Sequence, residues 1–219
     1  MKAASKKSEL GIVSNGVRKI VQVGNAVLRH TAEKIPISDI RSSKIRKLVA
    51  DIRTLLAKEK YGVALAAPQV GESVQLFIVS GRRLAEADSG HAKPGKALAQ
   101  GKRMASDETD DAKDKQEESE KEQFPDFVYI NPQLLKISRK QEKKHEGCLS
   151  IRGKWGEVRR AEKATIRAYD EKGLPFTRGA SGFLAHIFQH EMDHLNGILY
   201  TDKAVKIYDD HEVQGHKHS

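Results

Sequence analysis

His190-Glu191-Met192-Asp193-His194 is the stretch of this sequence best equipped for chemistry. Two histidines four apart lie about 40° apart around a helix, so both imidazoles can meet one ion. Glu191, about 100° around from His190, reaches a ligand of that ion without binding it. Two neutral ligands and a carboxylate base beside an activated water are what metal-assisted hydrolysis needs. The plainer alternative is a pair of histidines satisfied on a buried helix face. It is weakened because three polar groups share a helix that also carries Phe183, Leu184, Ile187, Phe188 and Leu195, and burying them without a use costs free energy. A catalytic site also wants a third protein ligand and an open position. Cys148 is the chain's single cysteine and sits in Glu146-Gly147-Cys148-Leu149-Ser150. A lone cysteine is more often a small buried apolar residue, and at this point both readings of it stand.

Elements must bring these groups together. The metal-binding stretch belongs to a helix expected from about Ser181, its N-cap, to Leu195, ended by Asn196-Gly197. An earlier helix spans about Ser43 to Lys60, with Ile45, Leu48, Val49, Ile52, Leu55 and Leu56 on one face and Gly62 as a left-handed stop. The small-residue run from Gly62 to Gly71 carries one uncharged polar side chain, Gln69, and reads as a tight turn. Strands are expected at about 74–80, 127–131, 134–138, 163–169 and 174–177. Charged residues 139–145 read as a turn and Arg152–Gly156 as a Gly-rich loop, whose Trp155 either packs or touches a ligand. Glu146 and Arg160 read equally as a buried pair supporting the metal segment or as two solvated charges.

Composition bounds the rest. The 219 residues suffice for one core, yet they are 38% hydrophobic and 32% charged, with mean hydropathy −0.60. Residues 81–123 account for this polarity. They hold nine Lys/Arg against eleven Asp/Glu and no aromatic residue, too little apolar surface to offset ordering entropy. They read as a disordered or loosely helical insertion in one domain spanning 18–203. A flexible arm, 1–17, precedes that domain, and a polar tail with three histidines, 204–219, follows it. No run matches a membrane helix and no apolar stretch follows Lys2, Lys6 and Lys7, so neither a membrane partner nor a secretory signal is expected. One cysteine excludes an internal disulfide and points to a reducing compartment. The net charge of +9 allows an anionic partner such as RNA or a ribosome, while a solvated basic face is the plainer reading.

Three segments, in order, together resemble the peptide deformylase family: Gly62-Val63-Ala64-Leu65-Ala66-Ala67-Pro68-Gln69, Glu146-Gly147-Cys148-Leu149-Ser150, and His190-Glu191-Met192-Asp193-His194-Leu195-Asn196-Gly197. The resemblance covers most of residues 18–203. It implies an α+β fold of antiparallel strands around a central metal-binding helix. The activity it implies is hydrolytic removal of the N-formyl group from the N-terminal methionine of new polypeptides. Cys148, His190 and His194 would bind one divalent ion, Fe2+ natively, with Zn2+, Ni2+ or Co2+ able to occupy the site. Glu191 would be general base and then acid, and the Gln69 side chain and Leu149 N–H would stabilise the oxyanion. Gly62, Val63, Ala64, Phe183 and Ile187 would contact the formylmethionyl peptide. Nascent chains on the ribosome would be the partner, with no specific DNA, in a bacterial-type cytoplasm or an organelle.

The sequence also departs from the family pattern. Ala64 replaces the second Gly of the turn, where a positive φ would cost about 1 kcal/mol. His186 stands where an apolar pocket wall is expected, and Lys144 and His145 precede Glu146. Two other classes therefore remain in view: an inactive relative that binds formylated peptides or a ribosomal surface, and a metalloprotease. The first would be expected to have lost Glu191 or a ligand, and the second to use a third His or a carboxylate in place of Cys148.

Overall fold

The computed structural model describes residues 18–89 and 124–209. Helix α1, Ser43–Lys58, is capped by Ser42, whose Oγ accepts the Ile45 N–H at 3.3 Å. Strands β1, Ala64–Ala66, and β2, Leu76–Val79, flank the Gln69 turn, and helix α2, Gly81–Ser89, follows them. The chain then builds β3, Phe127–Ile137, β4, Gln141–Cys148, β5, Ile151–Ala161, β6, Lys163–Tyr169, and β7, Pro175–Ser181. Helix α3, Gly182–Leu195, and strand β8, Lys206–Asp209, complete it. Five strands pair antiparallel in the order β1-β2-β3-β6-β7, and three in the order β4-β5-β8.

Side-chain alternation explains how the layers stack. Leu76, Ile78, Val128 and Ile130 face α1, meeting Ile45, Leu48, Val49, Ile52 and Leu56. Phe77, Val79, Tyr129 and Ile166 point the other way, onto Ile187, Phe188 and Leu195 of α3. Phe77 stacks on Tyr129 at 4.6 Å between centroids, and the Phe188 ring meets Tyr129 edge-on at 5.3 Å. A third cluster, with Val21, Leu28, Ile151, Val158, Leu199 and Tyr200, fastens the smaller sheet. The α+β architecture with antiparallel strands about the metal-motif helix is as expected. Among the described residues, no helix is long and apolar enough to cross a membrane.

Several boundaries differ from the sequence reading. The charged stretch 139–145 is no turn, because most of it lies in β4, and Arg152–Gly156 is no loop but part of β5. Their long side chains face water and pair across the strands, as in Lys143–Glu157 at 2.8 Å, so no apolar alternation marks them. The two strands expected at 127–131 and 134–138 are one, β3, with a register shift at Asn131-Pro132. There Asn131 takes φ 49°, and its side chain bonds Ile35 N and O at 2.8 and 2.7 Å. The ordered domain passes residue 80, because α2 buries Leu84 in the α3 cluster. It also passes residue 203, because β8 pairs with β5. The expected arm, the remainder of the insertion and the histidines of the tail lie outside the described residues. Gly62 is not a left-handed stop. A Cβ there would meet Glu59 Cβ at 2.9 Å and Leu149 Cδ1 at 3.1 Å, so closeness is what selects glycine. Ser181 does sit at the N-cap position of α3, but its side chain makes no capping bond.

Candidate metal centre

Two turns and one helix meet here. The Gln69 turn and the turn after β4 are joined by the extended segment at 21–23: Val21 N–H donates to Gln69 O, and Val23 N–H to Ser150 O, each at 2.8 Å. Helix α3 runs past both and brings Cys148, His190 and His194 together, with one ligand atom of each within 4.8 Å of the others. Cys148 Sγ lies 3.2 Å from His194 Nε2. The Gln69 Oε1 accepts the Ala66 N–H at 2.8 Å, which turns its amide nitrogen toward Cys148 Sγ at 3.4 Å and Ser150 Oγ at 3.3 Å. Among described residues, two buried side-chain atoms have no hydrogen-bond partner, Glu191 Oε2 and His194 Nδ1. An orphaned carboxylate oxygen beside a thiol and two imidazoles is what an ion and a water at this point would satisfy.

Behind the ligands sits the buried pair that the sequence left open. Glu146 takes Arg160 Nε and Nη2 at 2.6 and 2.9 Å, and both residues are almost fully enclosed. Glu146 Oε2 also holds His190 Nδ1 at 2.8 Å, leaving Nε2 to face the centre. Arg160 Nη1 reaches Asp193 at 2.6 Å, and Lys203 takes that carboxylate's other oxygen at 2.6 Å.

The electrostatics follow from this shell. Burial pushes the Cys148 thiol up, but the imidazoles of His194 and His190 outweigh it and hold the thiol well below its ordinary range. Burial would lower His190, yet Cys148, Glu146 and Glu191 raise it well above the usual histidine value. The result is one thiolate beside two imidazoles, a donor set suited to a divalent cation. Burial raises Glu191, against the lowering effect of His190 and His194, in the direction a general base working near neutrality requires.

Four of the five residues expected to contact the peptide lie in one apolar cluster. Val63, Ala64 and Phe183 pack with Ile187 in the cluster lined by α3. Ala64 lies in β1 without a positive φ, so the strain expected of an alanine there does not arise. His186 is not a bare polar wall, because its Nε2 is 2.9 Å from Glu146 Oε1. Trp155 packs on the backbone of Gly147, 3.3 Å from where a Cβ would stand. Sequence reasoning missed His186, Asp193 and Lys203 as members of the shell. For His186 a signal existed, since it precedes His190 by one helical turn. A groove of about 570 Å³ between residues 34–37 and β6 holds none of these groups, so chemistry and not cavity size locates the site.

Comparison with known proteins agrees with this geometry. A family model described as polypeptide deformylase matches residues 17–209. The chain belongs to the peptide deformylase family. A curated peptide deformylase from Leptospira biflexa is 30% identical over 194 residues, covering 88% of this chain and 91% of its own. A class I type b deformylase from Acinetobacter baumannii, solved with Met-Ala-Ser bound, superposes with a TM-score of 0.63 at 26% identity, covering 85% of this chain and 98% of its own. The Synechococcus elongatus enzyme, solved with actinonin, gives 0.62 at 25% identity, covering 98% and 92%. This deformylase is thus a metal-dependent hydrolase that removes the N-formyl group from nascent polypeptides.

Proposed function

We propose that Cys148 Sγ and the Nε2 atoms of His190 and His194 hold one divalent ion, and that Glu191, Gln69 and the Leu149 N–H perform the reaction around it. The observation that carries this reading is the unpartnered buried Glu191 Oε2 next to the three convergent ligand atoms. When bound, the ion supplies a Lewis acid that acidifies water and polarises the formyl oxygen. Glu191 takes the proton of the attacking water as the water oxygen bonds to the formyl carbon. The Gln69 amide, locked by Ala66, and the Leu149 N–H donate to the developing oxyanion. Glu191 then passes its proton to the departing nitrogen, the C–N bond breaks, and formate leaves a free methionyl amino terminus.

Gly62, Val63 and Ala64 line one side of the peptide cleft in this reading, and Phe183 and Ile187 the other, against the methionine side chain. A thiolate with two imidazoles accepts Fe2+, Zn2+, Ni2+ or Co2+, and ferrous iron is the native ion implied by family membership. The basic surface, +9 over the chain, fits ribosomes carrying nascent chains, and a reducing bacterial-type cytoplasm or an organelle keeps Cys148 available.

The test is formate release from a formyl-Met tripeptide by anaerobically prepared, iron- or nickel-loaded protein beside Glu191→Ala. Wild-type turnover, with Glu191→Ala retaining metal but losing about 10²–10⁴-fold in kcat, is the expected result. Undiminished turnover in the variant removes Glu191 from its role, and no turnover at full metal occupancy favours a formyl-peptide-binding protein.

A further inference from the structure

A carboxylate offers about four acceptor positions, two on each oxygen. Hydrogen bonds fill three of them on Glu146: Oε2 accepts from Arg160 Nη2 at 2.9 Å and His190 Nδ1 at 2.8 Å, and Oε1 accepts from Arg160 Nε at 2.6 Å. The group that closes on the remaining place is His186, whose Nε2 stands 2.9 Å from Oε1. His186 is buried on α3, one turn before His190, and meets the Phe183 ring edge-on at 5.9 Å between centroids.

We infer that His186 is a positioning residue for the metal centre: by filling the last acceptor place on Glu146, it fixes the carboxylate that orients His190. The Arg160 guanidinium holds both oxygens of Glu146, and His186 adds a contact to Oε1 from α3, the same helix that carries His190. His190 is then held in the one ring orientation that turns Nε2 to Cys148 and His194. Outer partners of this kind, which fix a ligand's tautomer and angle, are worth about 10–100-fold in metal affinity. His186 acts through two intervening residues, so the low end of that range applies. The residue also explains a departure noted in the sequence. A histidine is tolerated in the wall beside Phe183 because its Nε2 lies against Glu146 while its ring meets Phe183 edge-on.

This inference rests on Cys148, His190 and His194 being the ligands. The test is zinc or nickel retention, measured by competition with a chromogenic chelator, on the full chain as wild type, His186→Ile and His186→Gln. The melting temperature of each metal-free protein is measured alongside. The expected result is about tenfold weaker retention in His186→Ile and recovery in His186→Gln, whose amide supplies the lost donor. Equal retention in wild type and His186→Ile overturns the inference while leaving the ligand assignment intact. Loss of metal-free stability with unchanged retention also overturns it, since packing alone would produce that. Failure of His186→Gln to recover retention overturns the hydrogen-bond account. A wild-type protein that holds no ion overturns the inference and the ligand assignment together.

Discussion

Gln69 illustrates how much one amide's orientation matters. Its oxygen is occupied by the Ala66 N–H, so its NH₂ group faces the sulfur without choice. A donor fixed before the substrate arrives needs no reorganisation when charge develops, and this is where preorganised dipoles are most effective. Gln69→Ala should lower kcat about 10²–10³-fold, leave KM nearly unchanged and leave the metal bound. Steady-state kinetics with a metal assay on the same sample checks it. A loss confined to KM would mean that Gln69 holds the substrate and not the transition state. Glu191 differs in kind: its buried Oε2 has no hydrogen-bond partner, which suits the proton-accepting role proposed for it.

Arg160 belongs to the scale of elements, because it ties three of them. It lies on β5, grips Glu146 of β4 with two nitrogens and reaches Asp193 of α3 with the third. Breaking a buried pair leaves an uncompensated charge and costs about 3–5 kcal/mol. Arg160→Met should therefore lower the melting temperature of the metal-free protein by on the order of 10 °C. Lysine would not rescue it, since an ammonium cannot hold two carboxylates with the geometry of a planar fork. Thermal denaturation of Arg160→Met and Arg160→Lys decides this, and a lysine variant as stable as wild type would show that charge alone suffices. Strands β4 and β5 and helix α3 would loosen together, because the pair sits where the three-stranded sheet meets the helix.

For the whole molecule, two consequences follow. Burial raises the Glu146 carboxyl, but the hydrogen bonds from Arg160, His186 and His190 outweigh it and hold it far below its ordinary value of 4.5. The unfolded chain then takes up the proton first. Stability is present above pH about 4.5 and is lost as the pH falls below it. Urea midpoints measured between pH 7 and pH 3.5 should stay level and then drop, and Glu146→Gln should flatten the drop. The second consequence concerns the insertion. The chain enters α2 at Gly81 and comes back past that point at Phe124-Pro125, so close that a Cβ on Gly81 would lie 2.2 Å from Pro125 O. The core is closed at the base of α2. Replacing residues 90–123 with a short Gly/Ser linker, which keeps α2 and Leu84, should leave a folded protein with its metal affinity intact. Insolubility of this variant would show that the core depends on the excised segment.

The two histidines and the carboxylate beside them were legible in the sequence as a metal-hydrolysis set, because a four-residue spacing keeps its meaning before any folding is known. Cys148 as third ligand and Gln69 as oxyanion donor came only from the family resemblance, since a lone cysteine and an amide in a small-residue turn have plainer readings. Helices α1 and α3 were legible as the histidine pair was, since apolar periodicity is a local property. Strands β4 and β5 were hidden, because their charged side chains satisfy one another across the sheet and leave no apolar alternation to read. The Glu146–Arg160 pair could not be told from two surface charges until fourteen residues of hairpin brought them to 2.6 Å. The approach of His186 to Glu146 was likewise decided only by the packing that brings α3 against the end of β4. Sequence by itself determined which groups are present and what chemistry they can do. Tertiary structure alone decided which of them are desolvated together, and burial is what turns a neighbouring carboxylate, guanidinium and imidazole into one rigid support for the metal.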